Sequence, residues 1–187
     1  MSEATIRARL VAEARQVTTD QGWAAVTMQG LADAVGVSRQ TVYNEVGGKA
    51  SLAEALVLDE LDRFLAVVDE AFTRHPTDLV AAIRAAVEAV LEYARDNNLL
   101  RAVVSATHGA DTDLLPLLTT NSAPLLTVAK AVLLERVHAY PVDLDAHQLD
   151  AAVDLVVRVV LSHVMQPSAE PAATAADIAE ITSRILT

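Results

Sequence analysis

The sequence predicts an all-α protein: an N-terminal three-helix domain containing a helix-turn-helix, joined by a long helix to a C-terminal helical domain, about nine helices altogether. Three observations carry this. Hydrophobic residues make up 52% of the 187 residues, while Gly and Pro number only six each, a composition suited to packed helices. Apolar residues recur at spacings of three and four along most of the chain, and no stretch alternates with a period of two for long enough to form a sheet. The breaks between periodic stretches contain Pro, Asn or Gly.

The first helix is expected over about 2–20, where Ile6, Leu10, Ala14 and Val17 form one apolar stripe, with Gly22 closing it as a left-handed cap. After Trp23 to Val26, Thr27 caps a short helix that turns Leu31 and Val35 inward and stops at Gly36. Ser38 caps a third helix over about 39–45. Two helices separated by a short turn containing Gly are the sequence form of a helix-turn-helix. Gly47 and Gly48 break the chain again, and Leu52, Leu56, Leu61, Leu65 and Val68 then mark a helix over 49–74, the rod between two domains, 1–48 and 49–187. Further helices are expected at about 78–96, 99–107, 113–140 with an interruption near 121–124, 145–165 and 174–186, and 166–171 is a loop of biased composition.

Composition excludes several functions. The absence of Cys removes disulfides, thiolate metal sites and thiol nucleophiles together. No uncharged run reaches the roughly 18 residues needed to cross a bilayer, and the charges at Glu3, Arg7, Arg9, Glu13 and Arg15 leave no apolar centre for a secretory signal, so a cytoplasmic protein without a membrane partner is expected. There is no HExxH, GxSxG or dinucleotide fingerprint, and Gly48-Lys49 lacks the remainder of a phosphate loop; no catalytic residue, metal or cofactor is expected.

The net charge of −11 argues at first against nucleic acid, but it is unevenly spread. Residues 1–50 carry five basic and five acidic groups, so the whole excess lies in 51–187. An anion is therefore expected to meet the first fifty residues. There, a rotation of about 100° per residue gathers Arg39, Gln40, Tyr43 and Asn44 into one arc of roughly 140°, opposite Val42. Arg suits guanine, Gln and Asn suit adenine, and Tyr or Thr hydroxyls suit phosphate oxygens. The helix starts at Thr27, Ser38 and Lys49 add outward N–H groups for phosphate; Thr41 lies in the same first turn as Ser38.

The stretch VTMQGLADAVGVSRQTVYNEVGGK, with the helix before it and the long helix after it, resembles the TetR family of one-component transcriptional regulators. The likeness covers about 45 residues; the remainder is similar only in being helical and of suitable length. The resemblance implies a homodimer whose first three helices bind a palindromic double-stranded DNA operator, usually to repress, and whose C-terminal domain binds a small-molecule effector that releases the DNA. It also implies phosphate contacts from Thr27, Tyr43 and Lys49 and base contacts from Arg39, Gln40 and Asn44. Two positions depart from the family pattern: Val46 replaces an aromatic, and Gly48 replaces a capping Ser or Asn. A loosely ended recognition helix is therefore expected, and Gly30 inside the second helix costs about 1 kcal/mol relative to Ala.

In the C-terminal domain, Leu149, Val153, Val156, Val160 and Val164, with Ile178, Ile181 and Ile185, are expected to form a four-helix dimer seam. Aromatic residues are only 3% of the chain, too few to cage flat cations, so an apolar or acyl-type effector is expected. Polar residues interrupting apolar stretches, Tyr93, Arg101, His108, Asn121 and His163, are candidates to orient it. The competing function is a helical small-molecule-binding or protein-interaction module that has lost DNA binding.

Overall fold

The computed structural model describes residues 5–105 and 114–186, together with the side chains of all of these except Val104 and Ser105. The described residues are helical without strands, in ten α-helical segments and one 3-10 turn. By their packing they form two compact units, one of residues 1–60 and 97–122, the other of 61–96 and 123–187. The packing thus divides the chain differently from a cut at 48/49.

The first unit opens with α1 (Ile6–Gln21), whose cap Thr5 accepts from the Ala8 amide. Leu10, Val11, Ala14 and Thr18 are buried, whereas Ile6 is 36% exposed and Val17 only half-buried. The buried stripe is therefore rotated from the expected one. Thr18 can enter the core because its hydroxyl donates to the Ala14 carbonyl at 2.6 Å, which removes the cost of burying it bare. Gly22 has φ 84° and ψ 161°: a positive φ, but an extended ψ instead of the left-handed helical cap expected from the sequence. A 3-10 turn (Trp23–Ala25) inserts Trp23, 2% exposed, beneath α2 (Met28–Val35) and α3 (Arg39–Val46).

These helices share one core with the start of α4 (Lys49–Arg74), through Leu52, Ala53 and Leu56, and with Leu99 and Val103 of α6 (Asn98–Ser105). A polar network lies beside this core. The buried Glu60 carboxylate accepts from Arg15 Nε at 3.0 Å and from Asn97 Nδ2, while Asn97 Oδ1 accepts the Leu100 amide at 2.9 Å and so caps α6. The single turn α7 (Leu115–Leu118) completes the unit.

The second unit contains α4 from Leu61 onward, α5 (Leu79–Asp96), α8 (Ala123–Val137), α9 (Ala146–Met165) and α10 (Pro171–Ile185). The long segment expected over 113–140 is thus two helices, and the last helix begins at Pro171, a residue suited to a helix start. Buried alanines line α5 (Ala82, Ala86, Ala94) and α10 (Ala175, Ala179), and these two helices pack extensively together. A capping box between Asp145 and Gln148 starts α9. Tyr140 is buried and donates its hydroxyl to the carbonyls of Phe72 (3.3 Å) and His75 (2.9 Å), closing the end of α4. The segment Leu115–Val137 is, by length and composition, apolar enough to cross a bilayer, although it carries Lys130, Glu135 and Arg136; the turn between α7 and α8 interrupts it as a helix.

Candidate nucleic-acid interface

The helix-turn-helix is built from local rules that agree. Thr27 Oγ1 accepts the Gly30 amide at 3.0 Å and starts α2. Gly36 stops it in the left-handed conformation (φ 76°, ψ 40°), where the amides of Gly36 and Val37 both reach the Ala32 carbonyl, at 2.9 and 3.0 Å. Ser38 Oγ then accepts the Thr41 amide at 3.0 Å and lies 2.9 Å from the Thr41 hydroxyl, which starts α3 two residues after the turn.

Val42 and Val46, 0% and 2% exposed, fix the roll of α3 by entering the core. Arg39, Gln40, Tyr43 and Asn44 are consequently all exposed, as the helical arc requires, and Thr41 is half-buried. Val46 thus does the inward-facing work of the larger aromatic that the family pattern favours. The exposed tips are paired along the helix. Arg39 Nη2 reaches the Tyr43 hydroxyl at 3.3 Å, with its guanidinium carbon 5.5 Å from the ring centroid, and Gln40 Nε2 donates to Asn44 Oδ1 at 3.0 Å. Lys49 is half-buried, with its ammonium 5.1 Å from the centre of the Trp23 ring.

Sequence reasoning missed the work of two α1 arginines. Arg7 Nη1 donates to the Glu45 carbonyl at 2.6 Å and Arg9 Nη2 to the Val35 carbonyl at 2.7 Å. Each puts a cation at the C-terminal end of one helix of the motif, where the helix dipole favours it. The end of α3 is therefore tied, in contrast to the loose end expected from Val46 and Gly48; the Gly47 amide also returns to the Tyr43 carbonyl at 3.0 Å. With Arg15 on Glu60, three of the five cations in the first fifty residues hold the unit's own groups; Arg39 is exposed, and Lys49 is half-buried over Trp23.

The other predicted residues that the structure describes are divided between the two units. Tyr93 is half-buried in the second unit, its ring edge-on to Phe64 at 4.8 Å between centroids. His163 is half-buried in the same unit, its Nδ1 3.3 Å from Ser168 Oγ. Arg101 and Asn121 are exposed and belong to the first unit, with Arg101 bonded to Asn98 Oδ1. His108 lies outside the described residues. Of the expected dimer seam, Leu149, Val153 and Ile178 are buried within the chain's own fold; Val156, Val160 and Val164 are half-buried. Ile181 and Ile185 are exposed, and so, at 51%, is Leu155, which apolar periodicity did not single out.

Comparison with known proteins gives this geometry its setting. Residues 10–56 match the model of the "Bacterial regulatory proteins, tetR family" and residues 78–184 that of the "Bacterial Tetracyclin repressor, C-terminal domain". The HTH-type transcriptional regulator AlkX of Mycobacterium tuberculosis is 32% identical over 184 residues, covering 96% of this chain and 84% of that protein. The crystal structure of the TetR family repressor AlkX from a Dietzia strain, implicated in biodegradation of n-alkanes, superposes with a TM-score of 0.81 at 27% identity, covering 99% of this chain and 97% of the other. The repressor QsdR of R. erythropolis shares the fold, with a TM-score of 0.63 at 16% identity over 97% of this chain and 94% of its own. With family matches over both the helix-turn-helix and the C-terminal helices, the chain belongs to the TetR family of bacterial transcriptional regulators, which are DNA-binding proteins and not enzymes.

Proposed function

We propose that the protein is a cytoplasmic homodimeric repressor that occupies a palindromic operator and leaves it when a small apolar or acyl-type molecule binds the C-terminal helices. The observation that carries this reading is the exposed quartet Arg39, Gln40, Tyr43 and Asn44 on a helix whose roll is fixed by Val42 and Val46. In this reading Arg39, Gln40 and Asn44 reach base edges in the major groove. Thr27, Ser38, Thr41, Tyr43 and Lys49 meet the backbone, which fixes register without reading sequence. The symmetry of two protomers supplies two half-sites about 34–36 Å apart.

The apolar effector is supported by the few aromatic residues and by the n-alkane connection of the Dietzia repressor. Leu and Val side chains would hold the chain of such a ligand, and Tyr93 and His163, both half-buried in the second unit, would orient its polar end. The exposed Ile181, Ile185 and Leu155 supply the uncovered apolar surface for the second protomer.

The test is binding of the full chain to the intergenic DNA beside its own gene at several salt concentrations. With Lys49 as the cation that each protomer brings to the backbone, a dimer neutralises about two phosphates through it, so log K against log salt should fall with a slope near −2. Changing Tyr43 to Ala should weaken every sequence alike. Binding that ignores salt and sequence, or no binding at all, contradicts the reading and favours a helical binding module without a DNA function.

A further inference from the structure

On the outer face of α3 the Gln40 side-chain amide donates to Asn44 Oδ1 at 3.0 Å, and both residues are exposed. An exposed pair of this spacing adds little to helix stability. Its consequence is chemical: it decides which atoms each amide has left to offer. We propose that Gln40 and Asn44 form one base-reading unit, in which Gln40 takes adenine through both atoms of its amide and Asn44 serves as a donor to a keto edge on the neighbouring base pair. This rests on the DNA-binding reading above and deepens it by naming the base chemistry of the half-site.

The assignment follows from a count of donors and acceptors. A carboxamide carries two N–H donors and one oxygen. One Gln40 hydrogen is engaged by Asn44, which leaves the other beside Oε1 as a donor and acceptor pair. That pair complements adenine, whose major-groove edge shows the N7 acceptor and the N6 donor. Asn44 is left differently: one of the two lone pairs of its oxygen is taken by Gln40, and its two Nδ2 hydrogens are free, so its donors outnumber its remaining acceptor. A group richer in donors than acceptors suits guanine, through O6 and N7, or thymine, through O4, better than the amino edge of cytosine.

Two features hold the unit in place before DNA arrives. The burial of Val42 and Val46 sets the roll of α3, so neither amide can be turned away by rotating the helix. On the adjoining stripe Arg39 is held against Tyr43 by a hydrogen bond of 3.3 Å and by the ring face, which keeps a flexible cation from displacing the amides. Ordering made before binding does not have to be made on binding.

The test is selection from random-sequence DNA by the full chain and by its Q40A, N44A, Q40A/N44A and N44D variants, with thermal midpoints recorded for each. The wild-type half-site should contain adenine next to a keto base. Q40A should reduce the adenine preference roughly ten- to a hundred-fold. N44A should relax both neighbouring positions, because Gln40 loses its tether, and the double variant should fall within about twofold of N44A alone. N44D, which presents only acceptors, should move the second preference from keto to amino bases, a gain that an unfolded protein cannot show. The inference is overturned if Q40A and N44A relax positions that are not adjacent, if their losses simply multiply, or if N44D keeps the keto preference. A selected palindrome lacking the adenine–keto step overturns this inference alone, whereas no enrichment by the wild type overturns the DNA-binding reading with it.

Discussion

Arg7 reaches across from the first turns of α1 and donates through Nη1 to the Glu45 carbonyl at 2.6 Å, in the last turn of α3. Arg9 does the same for the last residue of α2, at the Val35 carbonyl. One short stretch of α1 therefore holds the C-terminal ends of both helices of the motif. Because both arginines are exposed, each contact is screened by water and contributes on the order of 0.5–1 kcal/mol to stability. Their larger effect should be on the tilt of α3. The R7A/R9A variant should unfold at slightly lower urea yet bind DNA at least tenfold more weakly, and R7K/R9K, which retains a donor and the charge, should recover part of the loss. Equal losses of stability and affinity, with no recovery by lysine, would mean that the contacts are incidental.

Gly36 sits at φ 76° with open space where a Cβ would stand, so the obstacle to replacing it is the backbone conformation alone. G36A should cost about 1–2 kcal/mol of stability in the first unit. Hydrogen exchange should show the loss concentrated in α2 and α3. Since no neighbour clashes, the variant should remain folded, which allows its DNA affinity to be measured and compared with its stability.

The Tyr140 hydroxyl closes the end of α4, and its pKa is raised above the ordinary 10.0 by burial first and by the negative charge of Asp78 second. The phenol is therefore neutral and able to donate at all physiological pH values. Folded Tyr140 keeps its proton where the unfolded chain loses it, so its contribution is complete below about pH 10 and is lost as pH rises through the folded value. Y140F should cost about 1 kcal/mol at pH 7 through the lost hydroxyl bond, since the Phe72 and His75 carbonyls keep the amides of His75 and Asp78. Above pH 10 its stability should fall less than that of the wild type; a parallel fall would contradict the assignment.

Ile181 is 61% exposed and Leu155 51%, while Ile178 is 7% exposed, only three residues away from Ile181 on the same helix. Placing a charge at each site separates interface from core. I181E and L155E should leave the thermal midpoint of the isolated fold nearly unchanged and shift sedimentation towards monomer, whereas I178E should unfold the second unit. An I181E protein that sediments as the wild type does would move the dimer seam elsewhere.

Much of the first unit was legible because its rules are local. Thr27, Ser38 and Gly36 act within four residues of themselves, and their caps and turn lie where the sequence places them. The arc of Arg39, Gln40, Tyr43 and Asn44 is likewise a consequence of helical rotation. What stayed hidden depends on distant partners. Nothing near Arg7 in the chain announces a bond to Glu45, 38 residues on, and nothing near Asn97 announces Glu60. In the second unit apolar periodicity identifies α9 and α10 but cannot divide Ile178, turned inward, from Ile181, turned out, because both residues are equally apolar. The polar candidates for the effector were chosen by contrast with their neighbours, a signal that says nothing of direction, and Arg101 and Asn121 point to solvent.

The most direct check of the central claim is hydroxyl-radical footprinting of the selected DNA with the wild type and with an R39A/Q40A/Y43A/N44A variant. The account predicts two protected patches on one face of the duplex, centred about 34–36 Å apart, both of which disappear in the variant. A single unpaired patch, or protection that survives the loss of all four side chains, would contradict it.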